Sequence, residues 1–226
     1  MRMLEFDTHS GARPAGAERG DLVQLADGLT LQGVRMHYDR NAEIFGAEEP
    51  ADFVYLVRSG AVRTIAITSD GRRQIMGFHL PGDLFGFEMG AEHAFSAEAV
   101  SACDVILIRR SVLERAAASE PQAARALLGL MAAQLESARA AALLLGKKGA
   151  EERVAGFLLS LAERQTAQQM IDLPMSRADI ADYLGLTIET ISRTLTLMER
   201  RGDIALPSAR KVVLKHRHAL EMLEAA

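Results

Sequence analysis

The sequence predicts an α+β fold with an N-terminal antiparallel β-domain, a long helix and a C-terminal winged helix-turn-helix. Three patterns indicate this order. Short β-prone runs alternate with glycines in the first half of the chain, an apolar heptad repeat follows, and two short capped helices then precede a pair of short strands. The 226 residues accordingly divide into an arm (1–21), the β-domain (22–110), the long helix (111–146) and the winged domain (147–226).

The β-domain is defined by four β-prone runs, over residues 53–57, 62–67, 74–78 and 100–108. Ser69-Asp70-Gly71 predicts a hairpin turn between two of these runs, and Pro81-Gly82-Asp83 predicts a further turn. Short strands at this spacing are typical of a small antiparallel barrel or sandwich.

Composition narrows the class of protein. The one cysteine, Cys103, falls within an apolar run, so we expect it to pack in the core, with neither a disulfide framework nor a cysteine-bound zinc or iron–sulfur site. The first 20 residues are polar and predict a loose arm without a secretory pattern, and no 18 apolar residues occur in succession. We therefore expect a cytoplasmic protein without a membrane partner.

Apolar residues recur every three or four positions from Pro121 onward and predict a long amphipathic helix. The repeat spans more than three heptads, and its alanines would let two helices approach closely, so we expect a parallel homodimer. The predicted dimer interface consists of Ala124, Leu128, Met131, Leu135, Ala138, Ala142 and Leu145. The same periodicity also fits a helix that packs on its own β-domain, and different faces can do both. Gly146–Gly149 predicts a hinge, and a further helix is expected from Ala150 to Gln165.

Residues 175–201 predict a helix-turn-helix. Ser176 is a good N-cap residue and Asp179 stands at the capping-box position, so a short helix begins here. Gly185 can adopt the positive φ that a sharp turn needs, and Thr187 caps a second helix that runs to about Arg200.

The second helix has two unlike faces. Ile191, Leu195 and Met198 are expected to pack on the first helix, while the opposite face is polar near the helix N-terminus. Arginine can donate two hydrogen bonds to guanine, glutamate can accept from cytosine, and serine can contact either type of base. A recognition helix enters the major groove with that end foremost. The candidate base-reading residues are therefore Glu189, Ser192 and Arg193. The alternative is an ordinary amphipathic helix with a solvated face.

Two short strands, over residues 202–206 and 211–214, predict a wing after the second helix and favour the DNA-binding interpretation. Polar and cationic side chains beside the groove would contact phosphates and fix register without reading sequence. These candidates are Ser176, Thr187, Thr190, Arg200, Arg210 and Lys211. The net charge is −4, but from residue 173 onward eight Lys and Arg stand against seven Asp and Glu. We therefore expect DNA affinity to depend on local charge clusters and on salt.

This domain order resembles the CRP/FNR superfamily of bacterial transcription regulators over nearly the whole chain from about residue 22. The string LGLTIETISR, residues 184–193, is similar to the Glu-x-x-Ser-Arg signature of the FNR and FixK branch. The resemblance implies a β-roll like that of cyclic-nucleotide-binding domains and a dimer on a TTGAT-N4-ATCAA palindrome. It implies that Arg193 reads the G, Glu189 the G·C pair or its neighbour, and Ser192 the outer T. It also implies contact with RNA polymerase, for which Phe78–Glu88 is a candidate loop, although a simple turn explains that segment equally well.

The β-domain departs from the better-known members of this superfamily. Cyclic-AMP receptors hold the cyclic phosphate with an Arg-Ser pair, where this chain has His93 and Ala94, and Ala138 and Arg139 replace a Thr-Ser pair near the base. FNR itself needs an N-terminal cysteine cluster that this sequence lacks. The resemblance is therefore nearest to the FixK type. That type implies no cofactor, no cyclic nucleotide, and activation of genes for microoxic respiration or nitrogen fixation.

Two other functions remain as alternatives. A sensor of the same architecture would bind haem, nitric oxide through haem, or an organic effector, with His37, His79 or His93 as ligands, although these histidines show no ligand-type spacing. An enzyme with a regulatory helix-turn-helix lacks support, because the sequence contains no phosphate-binding glycine loop, no paired carboxylates in a turn and no nucleophile elbow. The sequence thus predicts a DNA-binding regulator and leaves its control open.

Overall fold

The computed structural model describes residues 21–24, 30–68, 71–88, 90–147, 149–167 and 169–225. The predicted N-terminal arm therefore lies almost wholly outside the described residues. In the described part of the β-domain, the strands are β1 (Asp21–Gln24), β2 (Thr30–Tyr38), β3 (Glu43–Phe45), β4 (Phe53–Ser59), β5 (Val62–Ile67), β6 (Arg73–His79), β7 (Leu84–Phe85), β8 (Ser96–Ala99) and β9 (Cys103–Arg109). They form two antiparallel sheets, in the orders β1-β2-β9-β4-β7 and β3-β8-β5-β6. This confirms the predicted antiparallel β-domain.

One predicted strand begins later than expected. The run 100–108 was expected to be continuous, but β9 begins at Cys103 because Val100 and Ser101 turn to pair with the backbone of Ala61. Gly60 makes this turn possible, since its φ is +77° and a Cβ at this position would lie 2.4 Å from the carbonyl oxygen of Ala102. Cys103 itself is buried, as predicted.

The hairpin between β5 and β6 forms as the sequence indicates. The two strands pair antiparallel from Val62↔His79 to Ile67↔Arg73, and the amide of Gly71 donates to the carbonyl of Thr68. The predicted turn residues Ser69 and Asp70 lie outside the described residues. The hairpin extends from the face of the β-domain that meets the C-terminal domain.

The helix predicted over 111–146 is two helices, α1 (Arg110–Ser119) and α2 (Pro121–Lys147). Between them Glu120 has φ −126° and ψ 113°, an extended conformation. The ring of Pro121 causes this break, because it clashes with a helical conformation of the preceding residue while fitting well in the first turn of the next helix.

The long helix α2 has two apolar faces. Ala123 and Ala126 are buried against the β-domain, where Leu127 and Leu130 add further contacts. On other sides the side chains face solvent, and Leu128 is 66% exposed. The segment Pro121–Gly146 also has the length and apolar composition of a membrane-crossing helix, with a mean hydropathy of 1.3 in its most apolar window. Packing on the β-domain therefore accounts for only one of the faces.

The C-terminal domain contains α3 (Ala150–Arg164), β10 (Met170–Asp172), α4 (Arg177–Leu184), α5 (Ile188–Arg201), β11 (Ile204–Ser208), β12 (Lys211–Leu214) and α6 (Arg217–Ala225). The predicted helix pair and wing are confirmed. The wing has a third strand that the sequence reasoning missed, since β10 pairs with β12 and gives the order β10-β12-β11. Helix α6 was not predicted either, and its Leu220 is fully buried.

A single hydrophobic core joins the β-domain to the C-terminal domain. Its β-domain members include Ile75, Phe78 and Leu80, and its C-terminal members include Leu158 and Leu184. Three aromatic rings mark the junction, because the ring of Phe78 lies 6.2 Å from that of Phe157 and 5.4 Å from that of Tyr183. The helix-turn-helix is therefore docked on the β-domain.

Candidate nucleic-acid interface

Helix α4 begins with the predicted capping box. The Ser176 hydroxyl accepts from the Asp179 amide at 3.1 Å, and the Asp179 carboxylate accepts from the Ser176 amide at 2.9 Å. The helix ends at Gly185, whose φ of +62° is the left-handed conformation that glycine adopts without strain. Ile180, Ala181 and Leu184 are buried as expected, and the chain turns directly into the second helix.

Helix α5 also follows the predicted pattern. The Thr187 hydroxyl accepts from the Thr190 amide at 3.2 Å and so caps the helix. Ile191 and Met198 are fully buried and Leu195 is nearly so, which fixes the helix against its neighbours. This packing leaves the opposite face of α5 in solvent.

The predicted base-reading residues lie on this outer face. Glu189 and Arg193 are exposed and Ser192 is half-buried. Hydrogen bonds from its own backbone amide and from the Thr187 hydroxyl, together with the nearby charge of Arg193, hold the pKa of Glu189 below its usual range. Glu189 is therefore an ionised acceptor at neutral pH. Among the described residues the Arg193 guanidinium donates no hydrogen bond, so its donors face outward.

Two residues that the sequence reasoning missed flank this set. Nη1 of Arg177, in the first turn of α4, donates to the Ser192 hydroxyl at 3.2 Å and brings a second guanidinium to the same surface. Leu197 is 51% exposed beside Arg193 and Thr196, and it offers an apolar surface of the kind that contacts thymine methyl groups. Leu197 is detectable from its spacing along α5, whereas Arg177 depends on the angle between the two helices.

The predicted phosphate contacts are placed unequally. Arg200 is exposed on the outer face of α5, and the Thr187 and Thr190 hydroxyls lie 3.0 Å apart at its beginning. Lys211 is exposed on β12, with Nζ 3.8 Å from the Asp172 carboxylate, a weak contact that solvent screens. All four therefore remain candidates for contact with a phosphate backbone.

The other two predicted phosphate contacts are already engaged within the domain. The Ser176 hydroxyl donates to Asp179 at 2.7 Å in the capping box. Nη1 of Arg210 donates to the carbonyl oxygens of Pro174 and Leu173. Arg210 thus ties the wing to the segment before α4, and its guanidinium is partly used there.

The three candidate ligand histidines do not come together. His37 is exposed and its Nδ1 lies 2.8 Å from the Asp104 carboxylate, while His79 stacks on Phe85 with ring centroids 4.7 Å apart. His93 is buried, with its Nδ1 3.0 Å from the Glu88 carboxylate. In the described ranges of the chain, no group of three or more His, Cys, Asp and Glu side chains has the arrangement of a metal site.

The candidate RNA polymerase loop, Phe78–Glu88, is exposed only at Pro81 and Gly82 among its described residues. The Asp83 carboxylate closes the turn by accepting from the Leu80 amide at 2.6 Å, and it forms an ion pair with Arg164 of α3. The loop is therefore held against the C-terminal domain with its tip outward.

Comparison with known proteins connects both halves of the chain to described families. Residues 35–120 match the family of cyclic nucleotide-binding domains, and residues 152–223 match the Crp-like helix-turn-helix domain. Over 214 residues the chain is 51% identical to the nitrogen fixation regulation protein FixK of Azorhizobium caulinodans, covering 92% of this chain and 86% of that protein. A protein with the same description from Rhizobium meliloti is 43% identical over 187 residues, covering 82% and 85%. The solved structure of FixK2 from Bradyrhizobium japonicum is 48% identical with a TM-score of 0.82, covering 86% of this chain and 98% of that chain.

Proposed function

Because the chain belongs to the CRP/FNR family of transcription regulators, we propose that it is a homodimeric activator that reads a TTGAT-N4-ATCAA palindrome without a small-molecule effector. The observation that carries this proposal is the outer face of α5. Glu189 and Arg193 are exposed one turn apart near the N-terminus of a helix whose other face is packed. In helix-turn-helix proteins this end of the second helix enters the major groove.

The chemistry of the three side chains matches the half-site. Arg193 can donate two parallel hydrogen bonds to O6 and N7 of guanine, and the ionised Glu189 can accept from N4 of cytosine. The Ser192 hydroxyl can donate or accept and so suits an A·T pair. One G·C pair among A·T pairs, as in TTGAT, satisfies all three.

Backbone contacts would set the register of this helix on DNA. Thr187 and Thr190 lie at the positive end of the α5 dipole, where a phosphate is stabilised. Arg200 and Lys211 would approach the phosphates on either side of the groove. Ser176 and Arg210 form hydrogen bonds within the domain. They would therefore stabilise the position of α4 and the wing instead of contacting phosphates directly.

The predicted dimer interface on α2 is the reason to expect that two helix-turn-helix domains bind DNA together. Leu135 is 52% exposed, Ala138 and Ala142 are exposed, and Met131 and Leu145 are half-buried in the single chain. An apolar stripe of this length is stabilised when a second copy covers it. Two α2 helices in parallel would place the two copies of α5 for half-sites about one DNA turn apart.

Sedimentation velocity tests the dimer. Leu135→Arg would bury two cations at the centre of the interface, so we expect this variant to sediment as a monomer. The matched control is Met222→Arg, which changes a similarly exposed apolar side chain on α6, 61% against 52%, and should leave the dimer intact. A dimeric Leu135→Arg variant would contradict this assignment of the interface.

The β-domain supports control without cyclic nucleotide. The position that resembles the phosphate-binding Arg-Ser pair is occupied by His93, which stacks on Phe45 with centroids 3.7 Å apart and contacts Glu88. At this position the chain therefore has a buried imidazole beside a carboxylate instead of a guanidinium that could hold a phosphate. We infer that DNA binding needs no added ligand.

Selection of bound DNA from random duplexes tests the function directly. With purified protein and no effector, the enriched sequences should form the palindrome. Enrichment without a G·C pair in each half-site would contradict the assignment of Arg193. Absorbance spectra of the purified protein with added haem test the sensor alternative. A haem sensor should show a stoichiometric Soret band that one His→Ala change removes.

The names of the relatives support a proposal about the role in the cell. Since two of them are described as nitrogen fixation regulation proteins, we propose that this chain acts in the cytoplasm and activates genes for nitrogen fixation or microoxic respiration. Activation would require contact with RNA polymerase, for which the exposed tip at Pro81 and Gly82 is the candidate surface. A Pro81→Glu variant that binds the palindrome normally but fails to activate transcription in vitro would support that contact, and one that still activates would contradict it.

A further inference from the structure

Two arginines of the β-domain hold the first helix of the helix-turn-helix. Nη1 of Arg63 donates to Oδ1 of Asp179 at 2.9 Å, and Nη2 of Arg73 donates to the same oxygen at 3.1 Å. Arg73 also donates to Oδ2 of Asp182 from Nε at 2.9 Å and from Nη2 at 2.6 Å. We call Arg63, Arg73, Asp179 and Asp182 the interdomain clamp.

Breaking the central pair of the clamp is costly because that pair is buried. The side chains of Arg63 and Asp179 are 9% and 7% exposed, so solvent does little to screen them. Arg63 is itself fixed by Glu98 on the neighbouring strand, at 3.0 and 2.5 Å. Charge-assisted bonds of this kind have well-defined geometry, and the loss of one partner leaves a buried charge unpaired.

Neighbouring contacts also hold α4 against the β-domain. The side-chain amide of Gln74 donates to the carbonyl oxygen of Asp182 at 2.6 Å, and Phe78 packs on Tyr183. Three residues beyond Asp182, the chain turns at Gly185 into α5. The orientation of α5 relative to the β-domain is therefore set at the clamp.

We propose that Arg63 and Arg73 are positioning residues for DNA reading: they hold α4 on the β-domain so that the two α5 helices of a dimer keep the separation that the palindrome requires. This inference rests on the proposed function. Two rigidly held DNA-binding domains bind only half-sites at the matching spacing. Two loosely tethered domains tolerate several spacings, and their joint binding gives a smaller increase in affinity.

Fluorescence anisotropy on four duplexes tests the proposal. Three carry two half-sites separated by three, four or five base pairs, and the fourth carries a single half-site. Arg73→Glu places a like charge against Asp179 and Asp182. We expect it to weaken binding to the four-base-pair spacing about tenfold, to bring the other two spacings within a few-fold of it, and to leave the single half-site unchanged.

Matched variants separate positioning from charge and from stability. Arg58→Glu makes the same charge change at an exposed strand residue of the β-domain and should behave as wild type. Arg73→Lys keeps a cation and should retain the spacing preference. Asp182→Asn is the milder second variant if Arg73→Glu does not fold, and it should relax the preference in the same direction.

The outcomes are distinguishable. An unchanged spacing preference in folded Arg73→Glu or Asp182→Asn overturns the clamp proposal. Tighter binding of these variants to the palindrome also overturns it, because the clamp would then hold the heads in a non-reading position. If wild-type protein prefers no spacing and does not select the half-site, the proposed function itself fails.

Discussion

Replacing Arg193 by alanine is the most direct test of how the chain reads DNA. The side chain is exposed on α5 and, within the described residues, donates no hydrogen bond to the protein. Its removal should therefore leave the folded domain intact, with an unchanged midpoint of thermal unfolding. The change acts on the DNA complex alone.

The magnitude follows from the two hydrogen bonds that the guanidinium can make to one guanine. A bidentate contact of this type contributes about 1–3 kcal/mol of discrimination between bases. Because 1.4 kcal/mol corresponds to about tenfold in the binding constant, each half-site should lose roughly 5- to 150-fold in preference for its G·C pair. A dimer carries the substitution in both heads, so the effect on a palindrome is about twice this free energy.

Competition binding measures the prediction. A labelled palindrome is displaced by unlabelled duplexes in which the G·C pair of one or both half-sites is replaced by each other pair. Wild type should reject the replacements, whereas Arg193→Ala should reject them roughly 5- to 150-fold less strongly per half-site, with the remaining discrimination due to Glu189. The matched control is Arg200→Ala, two turns further along the same face of α5, which should weaken every duplex without changing the ranking.

Full discrimination at the G·C pair in Arg193→Ala would refute the assignment of this side chain to guanine. In that case another side chain reads the guanine, and Arg177, whose guanidinium lies at the same surface, is the first to examine. A lower unfolding midpoint in Arg193→Ala would also contradict the inference that this side chain contributes little to the stability of the folded domain.

Three further predictions concern the wing and the β-domain. Lys211→Ala should weaken binding to all sequences alike and lower the salt dependence by about one unit per half-site in a titration at several salt concentrations, whereas a sequence-selective effect would make Lys211 a base-reading residue. Burial lowers the pKa of His79 from 6.5 to about 4, with Asp83 opposing the shift and Arg164 adding to it. The neutral ring therefore stabilises the fold fully above pH 6.5, and this contribution is lost as the pH falls towards 4, so urea unfolding should show a smaller loss between pH 7 and 5 in His79→Gln than in wild type. Burial, with Asp104 adding to it, raises the pKa of the Cys103 thiol to about 11. Iodoacetamide at neutral pH should label it only after unfolding, and rapid labelling of folded protein would show that β9 opens.

Local chemistry explains why the helix-turn-helix was predictable. The caps at Ser176 and Thr187 and the turn at Gly185 depend on residues a few positions apart, and the apolar face of α5 repeats with the helical period. The break before α2 also has a local cause in Pro121, although the heptad pattern obscured it. Once the caps and the apolar face were known, the residues on the exposed face of α5 could be predicted as well.

The parts that the sequence did not reveal depend on long-range pairing. Strand β10 is short and gains its partners only when β12 lies beside it. Arg63 and Asp179 are 116 residues apart, and Asp179 alone is fully explained as a capping residue. Nothing in the sequence indicated that residues of the β-domain and of the C-terminal domain share one core. Which side chains meet across a sheet or a domain boundary is decided by the whole fold.

The two carboxylate oxygens of Asp179 accept hydrogen bonds from different parts of the chain. Oδ2 closes the first turn of α4, and Oδ1 accepts from the two arginines of the β-domain. The helix-turn-helix domain therefore cannot be transferred alone. On another regulator it would keep its helix cap but lose the contacts that orient it. A functional chimaera has to include Arg63 and Arg73 together with the helix-turn-helix domain. Substitutions at these two positions would change the preferred spacing of the half-sites, while the half-site sequence stays the same.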